Sequence, residues 1–295
     1  MLYPDFNDLL SYKECKPGKM QLARRKASSK ASGNYHSPFR GQGLDFDAVR
    51  EYVPGDDIRN IDWKVTARTG APHLKLFKEE KERHIIICVD MNATMRFGTR
   101  NTFKSIQAAR LSSLLGWKAL AHQERISACF FGDVPGGLHY FSPKHTRQGL
   151  SMMLKILTEP PIEQHQVSLE TPLKHLCKVA RPGSLIYVIS DFMDLSEEYL
   201  GLSHLNKSCE VIFISINDKA DQALTAAGVI GFSSQDKEKV YVNTNSIKGL
   251  KTYAAKWEEN RKMLNALTKR FKIPLIELST ESDIHREAKR KKCLL

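Results

Sequence analysis

The sequence predicts an α/β protein built on a mostly parallel β-sheet with helices on both faces. Strand-sized apolar runs alternate along the chain with stretches whose apolar residues recur at helical spacing, and this alternation is typical of parallel sheets with crossover helices. The runs are continuously apolar, as in strands that are buried on both faces. A hydrophobic fraction of 41% and a charged fraction of 26% are ordinary for a globular core.

The chain of 295 residues is longer than one average domain, and we divide it into four segments. Residues 1–40 form a basic N-terminal segment and linker. Residues 41–82 form a small β-containing extension with a predicted strand at 73–77. The α/β domain covers residues 83–280, and residues 281–295 form a basic C-terminal tail.

Within the α/β domain each element follows from one of two patterns. A buried strand at 85–90 ends in an acid, and a helix of about twenty residues follows, since Ile106, Leu114 and Trp117 fall on one face. The remaining predicted elements are, in order, strand 126–131, helix 145–158, helix 171–179, strand 185–190, helix 196–206, strand 211–216, a short edge strand at 240–242, helix 248–270 and strand 273–278.

Polar residues lie at the carboxyl ends of the predicted strands. Because these strand ends meet at one edge of a parallel sheet, the polar residues are expected to lie close together. Asp90, Asn92 and Thr94 end and follow the first strand, Asp191 follows a later strand, and Thr171 begins a helix. Ligands of open parallel sheets bind beyond the carboxyl ends of the strands. Carboxylate, amide and hydroxyl oxygens suit a hard cation, so these residues predict a Mg²⁺ site, with Mn²⁺ or Ca²⁺ as substitutes.

The spacing Asp90-x-Asn92-x-Thr94, followed by Thr171 and Asp191, resembles the metal-ion-dependent adhesion site of von Willebrand factor A domains. The usual form is D-x-S-x-S with a later Thr and a later Asp, so Asn92 and Thr94 depart from it. The resemblance implies a von Willebrand factor A-like, Rossmann-like fold. The alternative is that Asp90 and Asp191 cap their loops or hydrogen-bond each other through water.

A longer resemblance covers roughly residues 38–216. The stretch GQGLDFDAVREYVPGDDIRNIDWKVTARTG, followed by HLKLFKEEKER and DMNATMRFGTR, resembles a bacterial family, domain-of-unknown-function family fifty-eight. Its members have an A-like domain and are often encoded beside MoxR-type AAA+ ATPases. The resemblance therefore implies partnership with such an ATPase and with a client protein.

A second concentration of polar residues lies between residues 52 and 68. Pro54 and Gly55 predict a turn, the neighbouring acids are placed to pair with nearby arginines, and Trp63 is predicted to lie in the core. The segment is also a candidate partner-docking surface. The residues assigned to that surface are Arg50, Asp56, Asp57, Arg59, Asp62, Trp63 and Arg68.

The predicted function is a non-enzymatic, divalent-cation-dependent interaction module that acts with a MoxR-type ATPase in assembling or maturing client complexes. The sequence contains no nucleophile elbow, zinc-protease helix, phosphate loop or dinucleotide-binding motif. The alternative is a metal-dependent phosphodiesterase or nuclease, or a nucleic-acid-binding protein that uses the basic termini, since the net charge is +12.

The sequence predicts a cytoplasmic protein. Its six cysteines show no CxxC or zinc-ligand spacing, as expected for free thiols in a reducing compartment. The opening residues MLYPDFNDLL lack the pattern of a secretory signal. No apolar run approaches the ~18 residues that a membrane-spanning helix requires.

Overall fold

The computed structural model describes residues 3–14, 44–79, 83–161, 163–195, 199–224, 227–233 and 239–290. The chain divides into two compact units, a larger one of residues 1–24 and 83–295 and a smaller one of residues 25–82. Most of the predicted basic N-terminal segment and the end of the predicted tail lie outside the described residues.

The helices and strands are numbered in chain order. The strands are β1 (Leu44–Glu51), β2 (His73–Glu79), β3 (His84–Met91), β4 (Arg125–Gly132), β5 (Leu138–Lys144), β6 (Leu185–Ser190), β7 (Glu210–Asn217), β8 (Val229–Ser233), β9 (Lys239–Asn243) and β10 (Leu275–Ser279). The helices are α1 (Phe6–Ser11), α2 (Trp63–Thr69), α3 (Lys104–Ala121), α4 (Arg147–Thr158), α5 (Glu170–Val179), α6 (Leu200–Ser208), α7 (Lys219–Gln222), α8 (Ile247–Phe271) and α9 (Ile284–Arg290). No helix among the described residues is both long and apolar enough to cross a membrane.

The larger unit is organised by a six-stranded sheet with the strand order β10-β7-β6-β3-β4-β5. Neighbouring strands run parallel, except that β5 is antiparallel to β4. The prediction of an α/β fold on a mostly parallel sheet is therefore confirmed. Because β3, β6 and β7 are parallel neighbours, their carboxyl ends lie side by side at one edge of the sheet.

The central strands are apolar along their whole length because both faces of the sheet are covered. In β3, Ile87 and Val89 belong to a hydrophobic core that includes residues of α3 and α4. Ile86 and Cys88 belong to a second core, which includes residues of α5 and α6. Each fully buried aliphatic side chain of this kind contributes roughly 1.5–3 kcal/mol to folding.

Several elements differ from those predicted, among them β5, β9 and α9. Strand β5 is not predicted, because its residues are only partly buried and carry no continuous apolar run. The predicted edge strand at 240–242 lies in β9, which pairs with β8 in a separate two-stranded sheet. The segment predicted as a basic tail contains α9, whose Ile284 and Ala288 are buried because they share one helical face.

The smaller unit contains an antiparallel pair of strands, β1 and β2, and the short helix α2. The predicted strand at 73–77 lies within β2. The predicted turn forms at Pro54 and Gly55, where the amide of Asp56 donates to the carbonyl of Val53 at 3.1 Å. Gly55 has a φ of 105°, a conformation that side chains with a Cβ rarely adopt.

Candidate functional site

A cavity of about 620 Å³ opens at the carboxyl ends of β3 and β6. Its lining includes Asp90, Asn92, Thr94 and Asp191, so the structure brings four of the five predicted metal ligands to one place. The fifth, Thr171, is exposed in the first turn of α5 and does not belong to the cavity lining.

The two predicted acids each cap the loop that follows their own strand. Asp90 Oδ1 accepts a hydrogen bond from the amide of Asn92 at 2.9 Å, and Asp191 Oδ1 accepts one from the amide of Met193 at 3.2 Å. A carboxylate that bonds the backbone two residues ahead is the usual geometry of an Asx turn. The second oxygen of Asp90 accepts a hydrogen bond from the hydroxyl of Ser190 at 2.6 Å, which links β3 to β6.

Asn92 binds the chain that enters α5. Its side-chain oxygen accepts a hydrogen bond from the amide of Val167 at 2.9 Å, and its side-chain nitrogen donates to the carbonyl of Val167 at 3.0 Å. The β3 loop also approaches Gly132 closely, since a Cβ at that glycine would lie 2.5 Å from the amide nitrogen of Asn92. These contacts fix the loop and occupy both polar atoms of the Asn92 side chain.

A lysine that the sequence analysis does not identify lies at the floor of the cavity. Lys104, at the start of α3, places its Nζ 2.8 Å from Asp191 Oδ2 and 3.2 Å from both carboxylate oxygens of Asp221. Its side chain is only 2% exposed. Its Nζ also lies 5.5 Å from the centre of the Phe97 ring, which lines the cavity.

The cavity floor therefore holds three buried carboxyl groups and one ammonium group. Burial, and then the negative charge of Asp191, raises the pKa of Asp90 to about 7. Burial lowers the pKa of Lys104, but the charges of Asp191 and Asp221 outweigh that effect and raise it overall. Burial also raises the pKa of Asp221, against the opposing effect of Lys104. A carboxyl group that titrates near neutrality can gain or lose a proton at cellular pH.

The donor atoms, as arranged here, do not fit a resident Mg²⁺ ion. Both amide atoms of Asn92 are bound to backbone, and Thr171 is outside the lining. Lys104 already places a positive charge 2.8 Å from Asp191 Oδ2, so a cation bound at this carboxylate would lie near the ammonium group. Two like unit charges 4 Å apart repel each other by about 4 kcal/mol at an effective dielectric constant near 20. Among the described residues, no three His, Cys, Asp or Glu side chains are grouped so as to hold a metal ion.

Phe192, which also lines the cavity, has a strained backbone conformation. Its φ of 54° lies in the left-handed region, which a bulky residue rarely adopts. The residue is 2% exposed, stacks on Phe213, and its carbonyl accepts a hydrogen bond from Asn260 at 2.6 Å. Packing of this kind can hold a residue in a backbone conformation that is otherwise costly.

Two signals in the sequence point to the residues that the sequence analysis missed. Asp221 lies just beyond β7, so the rule that found Asp90 and Asp191 also applies to it. Lys104 lies in the first turn of α3, where the helix dipole disfavours a positive charge. A lysine at that position therefore indicates that negative groups lie nearby.

In the smaller unit, the acids of the predicted docking surface form local contacts. Arg50 pairs with Asp56 at 2.6 Å. Asp57 accepts a hydrogen bond from the amide of Arg59 at 3.0 Å, and Asp62 accepts two from the first turn of α2. These contacts stabilise the backbone of the segment.

The prediction that Trp63 lies in the core is wrong. Trp63 is 69% exposed, and Ile58 and Val53 are 63% and 56% exposed. Arg68, also assigned to the docking surface, is exposed as well. Trp63 is the first residue of α2, and the side chain of Asp62 caps that helix. The cap stabilises the start of the helix, so the helix does not require burial of the indole.

Uncharacterized proteins of Mycobacterium tuberculosis and Mycobacterium bovis are 27% identical to this chain over 227 residues, which cover 76% of this chain and 70% of theirs. Among solved structures, the BatB protein of Bacteroides thetaiotaomicron covers 70% of this chain and 98% of its own, with a TM-score of 0.46 and 12% identity. An aerotolerance-related membrane protein of Bacteroides fragilis also gives a TM-score of 0.46, at 11% identity, and covers 70% of this chain and 96% of its own.

A match to a family model runs from residue 48 to residue 263. It includes the smaller unit from the middle of β1 onward, together with β3, β6 and the loops that line the cavity. The protein belongs to the family described as Protein of unknown function DUF58.

Proposed function

We propose that this protein is a non-enzymatic, von Willebrand factor A-like interaction module of the cytoplasm. In this proposal it acts with a MoxR-type AAA+ ATPase in the assembly or maturation of client complexes. The partner inserts a side chain or a short segment into the cavity at the carboxyl ends of β3 and β6.

The cavity is the observation that carries the proposal. It lies where open parallel sheets usually bind ligands, and apolar side chains line much of it above the buried carboxyl groups. These apolar residues are Phe97, Phe131, Leu169, Phe192, Met193 and Ile230. Concave, mostly apolar sites with a few fixed polar groups are the usual form of binding pockets.

The exposed residues of the smaller unit support docking at a second place. Trp63 and Ile58 are large apolar side chains that remain exposed, and tryptophan is enriched among the residues that dominate binding energy at interfaces. The ion pair between Arg50 and Asp56 lies in the same segment. Trp63 is therefore the residue of this segment that we expect to contribute most to partner binding.

The proposed docking uses only groups of this chain and does not require a bound metal ion. The predicted divalent-cation dependence stays a prediction. The groups that a partner meets at the cavity floor are those of this chain, Asp90, Asp191, Asp221 and Lys104.

A change at the rim of the cavity tests the proposal. Met193 lines the cavity and is 38% exposed, so Met193→Glu should leave the fold intact. A charge in place of an apolar contact should weaken binding to the proposed MoxR-type ATPase partner by a factor of about ten or more. The measurement is the dissociation constant of the purified pair, determined by surface plasmon resonance.

Met152→Glu is the matched control, because Met152 is 56% exposed on α4 and does not line the cavity. It should bind like the wild-type protein. Equal binding by both variants would contradict docking at the cavity. Hydrolysis of ATP, single-stranded DNA or RNA by the purified protein, lost in Asp90→Ala, would instead favour the enzymatic alternative.

A further inference from the structure

The positive charge beside Asp191 belongs to the chain itself. We propose that the Lys104 ammonium takes the place predicted for a divalent cation, so that the site is complete without a resident metal ion. The inference concerns the cavity floor alone and does not depend on the proposed partner.

The geometry around Lys104 matches the bonding capacity of an ammonium group. An ammonium group has three N–H donors and no acceptor. Three carboxylate oxygens lie within 3.2 Å of Nζ, one from Asp191 and two from Asp221. Both partners are buried, with side chains 2% and 8% exposed. The ammonium therefore donates to three carboxylate oxygens, of which Asp221 Oδ2 also accepts a hydrogen bond from the amide of Asp218 at 2.8 Å.

The position of Lys104 in its helix supports a role in the site. The residue lies in the first turn of α3, where the helix dipole disfavours a cation. Its amide donates to the carbonyl of Phe97 at 2.9 Å, which fixes the start of the helix against the cavity loop. The lysine thus gains nothing from the helix dipole, and its favourable partners are the two carboxylates at the cavity floor.

The side-chain oxygens of Asn92 and Asp90 do not form a better binding site for a divalent ion. The side-chain oxygen of Asn92 accepts the amide of Val167, and both oxygens of Asp90 accept hydrogen bonds. Mg²⁺ requires near-octahedral oxygen ligation and usually keeps several waters. An ion that entered this site would also lie close to the ammonium charge of Lys104, which repels it.

The inference is tested by titrating the full chain with Mn²⁺ and following free Mn²⁺ by electron paramagnetic resonance. The wild-type protein should leave Mn²⁺ free. In Lys104→Met the carboxylates of Asp191 and Asp221 lose their cation, so affinity for Mn²⁺ should rise by a factor of about ten or more. The melting temperature of this variant should rise on addition of Mn²⁺, whereas that of the wild-type protein should not.

Two further variants make the result specific. Lys118→Met removes another buried lysine of α3, which does not line the cavity, and should behave like the wild-type protein. Lys104→Met/Asp191→Asn removes one of the two carboxylates that lose their cation, and it should lose the Mn²⁺ affinity gained by Lys104→Met. Removal of the ammonium can unfold the chain by leaving buried charges unpaired. In that case Lys104→Gln, whose uncharged amide can still donate to the two carboxylates, is titrated in the same way.

Two results would overturn the inference. One is Mn²⁺ binding by the wild-type protein that is lost in Asp191→Asn, because the site would then hold an ion despite Lys104. The other is a folded Lys104→Met, or a folded Lys104→Gln, that neither binds Mn²⁺ nor is stabilised by it.

Discussion

His84, the first residue of β3, is a buried histidine whose charge state is coupled to folding. It is 7% exposed, and its Nε2 lies 2.7 Å from the hydroxyl of Ser127. Burial, and then the positive charges of Arg181 and Arg125, lowers its pKa to about 4. In an unfolded chain the pKa of histidine is about 6.5. Between these values the unfolded chain binds a proton that the folded chain does not, so stability falls as the pH falls.

The loss from His84 should reach about 2 kcal/mol between pH 7.5 and pH 4.5. His84→Gln removes the titrating group and keeps a side chain that can hydrogen-bond Ser127. The measurement is the free energy of unfolding in urea at the two pH values for both proteins. We expect the difference between the two pH values to be about 2 kcal/mol smaller in the variant. An equal difference in both proteins would mean that His84 carries its proton in the folded state.

Trp63 gives a prediction on stability. Because its side chain is 69% exposed, Trp63→Ala should change the free energy of unfolding by no more than about 0.5 kcal/mol. Leu74→Ala is the comparison in the same unit, since Leu74 is 4% exposed in β2, and it should cost roughly 2–5 kcal/mol. Urea denaturation of both variants checks the prediction. A Trp63→Ala variant as unstable as Leu74→Ala would place the indole in the core.

At the scale of elements, the strands buried on both faces are those that can be predicted from the sequence. All six residues of β6 are buried, so its sequence is a continuous apolar run and its bounds match the prediction. Strand β5 is only partly buried at the edge of the sheet, and its residues do not show the pattern. The hairpin of β8 and β9 is similar, since Val229 and Tyr241 are 64% and 66% exposed.

The candidate site is partly predictable for the same reason. Asp90 lies near the end of a buried strand and Asp191 directly follows another, so the strand pattern alone places them at one edge of the sheet. The position of Thr171 depends on the path of the chain before α5, which no local pattern specifies. The contact of Lys104 with Asp191 joins residues 87 positions apart, so it depends on tertiary packing that the sequence pattern does not encode.

At the scale of the whole molecule, charge is distributed unevenly. The chain carries a net charge of +12, whereas the cavity floor gathers Asp90, Asp191 and Asp221 around the single ammonium of Lys104. A net positive charge attracts acidic surfaces over a distance of about one Debye length. Long-range attraction can therefore favour encounter with a partner, while the shape and polar groups of the cavity determine what is bound.

The central claim is that a partner docks at the carboxyl edge of the six-stranded sheet. Hydrogen–deuterium exchange of the full chain, with and without a purified MoxR-type ATPase, tests it most directly. We predict slower exchange in the segments 93–97 and 192–194, which contribute residues to the cavity lining, because bound protein excludes water from those amides. Binding with slower exchange confined to α8, and no change in those two segments, would contradict the claim.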